Sequence, residues 1–225
     1  MIALRPGGPW RSGCLPPPAV GRAGRGRGRA APIGGTRTFQ SLTLQICQSV
    51  EIAVSPSALF PLVCDPEARS RLDPAVRVIR VEVEGAGPLR EGSIMFFRLQ
   101  KGSRIFEYRT RCLRLVPERL LETQAELPTL FRVRVELVPI PGGTRLTQQE
   151  DCEVGLDMLE GLPVTRRAER VWRAMHLLHL VMPALARETF AVVLRERAEA
   201  LRILMERELR AWLEAIKRHV ESKNA

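Results

Sequence analysis

Between residues 42 and 154 apolar side chains recur at every second position, and after Val154 they recur at helical spacing. That change of period constrains the fold more than any motif. "SLTLQICQSVEIAV" alternates through Leu42, Leu44 and Ile46, and later Ile52 and Val54. "VRVIRVEVEG" sets Ile79, Val81 and Val83 against Arg80, Glu82 and Glu84. "GSIMFFRLQKGSRIFEYRTRCLRLVPERLLETQAEL" reads as three strands that turn at 101–103 and 116–119. "TLFRVRVELVPIPGGTRLTQQEDCEV" is a hairpin. Phe131, Val133, Val135 and Leu137 share one face, Arg132, Arg134 and Glu136 the other, and Pro141-Gly142-Gly143 makes the loop. The sum is seven half-buried antiparallel strands. Beyond them, residues 165–182 read as an apolar helix, and Pro183 interrupts it. A long helix follows from about Glu188 to Val220, with Phe190, Leu194, Leu201, Met205, Trp212 and Ile216 in one stripe. Burying such side chains is worth roughly 1.5–3 kcal/mol each, so the stripe needs an apolar partner, and the sheet is the only face large enough.

The first strand is followed by "VSPSALFPLVCDPEARSRLDPAVRVIRV", which predicts a corner of two short helices. Ser55 can accept from free N–H groups of a first turn, and Pro56 stands where a missing N–H costs nothing. Leu59, Phe60 and Val63 give that helix an apolar face. Asp65-Pro66 repeats the device, and Asp73-Pro74 ends the second helix, because the residue before proline is driven out of helical geometry.

The formal charge of +10 looks like a nucleic-acid signal until it is located. Residues 1–40 hold seven arginines and no acid, leaving 28 basic and 25 acidic side chains, a net of +3, for the other 185 residues. The folded part is nearly balanced, and no specific nucleic-acid partner is expected. The Gly-, Pro- and Arg-rich first 40 residues lack periodicity and are expected to be a disordered tail. RNA contact, an organelle transit peptide and a misassigned start codon are the competing readings. Five scattered cysteines without a C-x-x-C pair argue against a disulfide framework or zinc site, and the default compartment is the cytoplasm. The longest apolar run, at 174–186, is shorter than the roughly 20 residues of a membrane span.

The order of strand, two short helices, six strands and long C-terminal helix resembles the START-like (SRPBCC) superfamily. Its members include polyketide cyclases and dehydrases, lipid-transfer proteins and coenzyme Q-binding proteins. The resemblance runs over residues 42–155 and the final helix. It rests on "SPSALFPLVCDPEARSRLDPAV", on the Gly-rich turn and Leu-x-x-Gly within "VRVIRVEVEGAGPLREGSIMFF", and on the "LVPIPGGTRLT" hairpin. It implies an α+β helix-grip fold for residues 41–225, with a curved seven-stranded sheet around the last helix and an apolar cavity between them. An apolar helical insertion at 156–187 departs from the pattern, and no catalytic signature carries over.

The expected lining of that cavity is Phe96, Phe97, Phe106, Tyr108, Val133, Val135 and Gln148 from the sheet, with Leu194 and Leu201 from the helix. Tyr108 shares the parity of Phe106, and Glu150 shares that of Leu146, Gln148 and Cys152. Tyr108 and Glu150 are thus the candidate catalytic pair, a buried carboxyl being able to move protons when burial raises its pKa. One bulge would reverse the parity, and Glu150 is expected to point to water. His176 and His179 stand three apart but have no partner at ligand spacing, so packing is expected there and no metal or other cofactor. The expected function is binding of a lipid, quinone or polyketide-like molecule. A cyclase or dehydratase is the enzymatic alternative, and a module docking to a membrane or ribosome through 165–187 is the third reading.

Overall fold

The structure, a computed structural model, describes residues 42–85, 87–126, 130–154 and 183–224, without the side chains of 42, 183–194 and 224. The expectations for the 1–40 tail, for most of the 156–187 insertion and for His176 and His179 lie outside those residues.

Strand β1 (Leu42–Ile52) leads into helices α1 (Pro56–Cys64) and α2 (Pro66–Arg71). Six more strands follow: β2 (Arg77–Val83), β3 (Ile94–Lys101), β4 (Arg104–Val116), β5 (Leu120–Ala125), β6 (Phe131–Ile140) and β7 (Gly143–Val154). Helix α3 (Pro183–Asn224) closes the chain. All strand pairs are antiparallel, in the order β1-β7-β6-β5-β4-β3-β2, so the curved sheet stays open between edges β1 and β2.

The corner forms as its caps dictate. The Ser55 hydroxyl accepts from Ala58 N–H at 3.3 Å, and the Asp65 carboxylate accepts from Ala68 N–H at 2.9 Å. Asp65 serves twice, since its own N–H donates to the Leu62 carbonyl that ends α1. Pro56 and Pro66 occupy first-turn positions. Leu59 and Val63 then drop into the core.

The inner face of the sheet packs on α3 through one large cluster that includes Ile46, Phe97, Leu121, Val135 and Leu146 of the sheet and Leu209, Leu213, Ile216 and Val220 of the helix. A smaller cluster joins Leu44, Cys152 and Val154 to Ala198 and Leu201, with Met205 touching both. The helix begins at Pro183, about five residues before the expected start. A proline at a first helical position loses no hydrogen bond, so the residue expected to interrupt a helix opens one.

Two strands depart from simple alternation. The β2–β3 register shifts between Val78 and Arg80, and Ile79 is 44 % exposed while Val78 packs on the core. The β4–β5 register shifts between Cys112 and Arg114, with Leu113 turned outward and Leu115 inward. Each extra residue exchanges the faces beyond it. The expected grouping of Ile79 with Val81 and Val83 is thereby corrected. The outer face is covered by cross-strand ion pairs, among them Arg98–Glu107, Arg109–Glu84 and Arg111–Glu126.

Candidate functional site

Polar side chains meet on the inner face, where α2, β4, β7 and α3 converge. On β4, Tyr108 faces inward and stacks on Phe97, ring centroids 5.1 Å apart and planes 8° from parallel. On β7 the register is unbroken against both β1 and β6, and Leu146, Gln148 and Cys152 are buried. No bulge intervenes, so Glu150 shares their face. The expectation that it points to water is corrected: Gln148 Nε2 donates to its carboxylate at 2.7 Å. Burial pushes the Glu150 carboxyl above its ordinary range, against the opposing pull of that hydrogen bond and of Arg69. Burial, then the nearby Glu150 charge, raises the Tyr108 phenol to about 12, so it is a neutral donor at physiological pH.

The fourth participant is Arg69, which sequence reasoning missed. It is 8 % exposed, and its Nε and Nη1 have no hydrogen-bond partner among the described residues. Its guanidinium lies over the Trp212 ring, 5.5 Å from the centroid, while its backbone carbonyl accepts from Trp212 Nε1 at 2.9 Å. Burial lowers its pKa, and Tyr108 and Glu150, in their ionised forms, act the other way. A signal was present. Leu59, Val63, Pro66 and Arg69 or Ser70 continue one inward spacing through the corner, and Pro66, Arg69 and Ser70 are the buried residues of α2. An arginine in that register reads as solvated and conceals the pattern.

The other expected residues divide. Phe97, Val135, Gln148 and Leu201 are buried on the inner side, and Val133 packs against them. Phe96 is corrected to the outer face, where the guanidinium groups of Arg80 and Arg109 lie 5.6 and 5.9 Å from its ring centroid. Adjacent residues of a strand face opposite ways, so Phe97 inward sets Phe96 outward. Phe106 is 44 % exposed, because residues 104–107 form the tip of the β3–β4 hairpin, beyond the part of the sheet the core covers. The side chain of Leu194 lies outside the described residues. A depression of about 420 Å³ opens at the corner, lined by Phe60, Cys64, Pro66, Val83, Leu89 and Leu115 among others, and none of the expected cavity residues borders it. Among the described residues no cluster of His, Cys, Asp and Glu fits a metal ion.

The sequence profile described as polyketide cyclase / dehydrase and lipid transport matches residues 43–178. The chain belongs to that family. A search of curated proteins gave no match. Among solved structures, a protein of unknown function from Staphylococcus aureus is similar at a TM-score of 0.57 and 10 % identity, over 82 % of this chain and 98 % of that one. The di-domain aromatase/cyclase StfQ of the steffimycin biosynthetic pathway gives 0.56 at 14 % identity, over 81 % of this chain and 52 % of StfQ. The aromatase/cyclase ZhuI from a Streptomyces species gives 0.52 at 16 %, over 82 % and 97 %. At these identities the likeness is one of fold. Polyketide cyclase/dehydrase and lipid transport proteins are associated with hydrophobic small molecules, and this member has the helix-grip layout.

Proposed function

We propose that this family member binds a hydrophobic small molecule, of lipid, quinone or polyketide type, between the sheet and α3. Phe97, Tyr108, Val133, Val135, Gln148 and Leu201 would contribute the lining. The observation that carries this reading is the set of polar groups on an otherwise apolar inner face, Arg69, Tyr108, Gln148 and Glu150. A face used only for packing would have no use for them, since each costs desolvation. A few directed polar groups in apolar surroundings are the usual make-up of a small-molecule site. Native mass spectrometry of the gently purified full chain tests it. The expected result is a co-purifying apolar molecule that organic extraction removes. A bare chain that takes up neither a lipid nor a quinone offered to it would sink the reading.

A cyclase- or dehydratase-type reaction is the second reading. It is favoured by Tyr108 and Glu150 facing one interior, both raised first by burial and the phenol also by the Glu150 charge. A neutral phenol can donate to a carbonyl oxygen while a carboxyl of raised pKa exchanges a proton. Incubation with the recovered ligand class separates the two readings. A carrier returns it unchanged, whereas an enzyme converts it and slows when Tyr108 becomes Phe.

A further inference from the structure

Arg69 stands out because two N–H groups of its buried guanidinium have no hydrogen-bond partner among the described residues. We infer that Arg69 anchors the carboxylate of an apolar acid held between the sheet and α3, an inference that rests on the hydrophobic-ligand reading above. A guanidinium presents five N–H donors and no acceptor, and burial removes the water that would satisfy them. Nε and Nη1 are both buried without an acceptor among the described residues, and a guanidinium N–H pairs strongly with a carboxylate oxygen. The neighbours do not supply one. Trp212 offers its ring face, and its N–H is spent on the Arg69 carbonyl. Glu150 is engaged by Gln148, and Arg69 forms no ion pair among the described residues.

The chemistry of the missing acceptor is narrowed by what surrounds it. Tyr108 adds a neutral donor, and on the same face of β4 the Thr110 hydroxyl is buried without a hydrogen-bond partner among the described residues. Asp73 lies close enough to raise the Glu150 carboxyl further, so a dianionic phosphate beside these acids would be repelled with one guanidinium to hold it. A single planar monoanion suits the site. The ligand's body must be apolar, because Leu59, Val63, Phe97, Val135 and Leu213 build the surrounding core.

The test compares dansyl-undecanoic acid with its methyl ester by fluorescence titration of the full-length protein at neutral pH. The two probes share an apolar body and differ in the carboxylate. The expected result is that the acid binds at least tenfold more tightly than the ester. In Arg69→Met the ratio of the two affinities should fall to about one, and in Arg69→Lys it should take an intermediate value, since an ammonium keeps the charge without the fork. Equal affinities in the unaltered protein would overturn the inference and leave the hydrophobic-ligand reading standing. Failure of both probes to bind would overturn both. A preference for acid that survives in Arg69→Met would also overturn it. Should Arg69→Met not fold, the acid-to-ester ratio of the unaltered protein and the Arg69→Lys value still decide.

Discussion

Gly143 has no room for a side chain. A Cβ placed there would stand 2.0 Å from the carbonyl oxygen of Ile52, at the point where β7 starts beside the end of β1. Backbone, rather than a flexible side-chain tip, is what it would meet. Gly143→Ala should therefore cost about 1–3 kcal/mol, the usual range for overpacking, read as a lower urea midpoint at unchanged slope. Glu150 gives a prediction of different sign. Its folded-state pKa is raised from 4.5, first by burial, so the folded protein holds the proton more tightly than the unfolded chain. Stability from this group is lost as pH rises from 4.5 through the folded value, opposite to the behaviour of a salt-bridged carboxylate. The stability of Glu150→Gln relative to the unaltered protein should thus increase from pH 4.5 toward neutrality, as measured by urea denaturation at several pH values. A difference that is flat with pH would show that the carboxyl reaches water. At this scale the sequence was only partly legible. The parity of Phe131, Val133, Val135 and Leu137 survives because β6 pairs without a slip. Ile79 and Leu113 could not be placed, because a bulge sets an extra residue against the partner strand, and the pairing decides which residue turns outward.

Elements were more legible than residues, since caps and turns announce themselves locally. The corner depends on Asp65, which receives the end of α1 and begins α2. Asp65→Ala removes the acceptor for Ala68 N–H and should cost about 1 kcal/mol, as loss of an N-cap generally does. The longer 3.3 Å bond at Ser55 implies a smaller loss for Ser55→Ala, and the pair compared by urea denaturation checks the order. The hairpin turn was equally explicit: Ile140 pairs with Gly143 across Pro141-Gly142, with Gly142 at φ +82°, a conformation glycine adopts freely. The long helix was legible as a stripe but not in its extent. Its 42 residues span about 63 Å at 1.5 Å per residue. The stripe includes Leu209, Leu213 and Val220 as well as the expected Leu201, Met205, Trp212 and Ile216. Trp212 also fastens α3 to α2 through the Arg69 carbonyl. Trp212→Phe keeps the ring and loses that bond, at about 0.5–1.5 kcal/mol, measurable as a fall in the thermal midpoint.

At the scale of the whole molecule, the proposed anchor draws on groups far apart in sequence: Arg69 on α2, Tyr108 on β4, Gln148 and Glu150 on β7, and Trp212 on α3. No single segment announces such a site, which is why Tyr108 and Glu150 could be picked out by parity while Arg69 could not. A ligand seated there binds the folded chain alone, so a hundredfold excess over Kd adds about 2.7 kcal/mol of stability. For a domain of this size that corresponds to a rise of about 5–10 °C in thermal midpoint. The midpoint alone does not locate the ligand, because any molecule that binds the folded state slows global unfolding equally. Location shows in amides that exchange by local opening. Dansyl-undecanoic acid held beneath α3 should slow exchange at α2 and along 205–216 of α3, since opening either would release Arg69 or Trp212. The same probe lodged in the corner depression would instead slow α1 and residues 83–89, beside Phe60, Val83 and Leu89. Protection confined to α1 and 83–89 would move the ligand site to the corner and leave the buried guanidinium without its proposed partner.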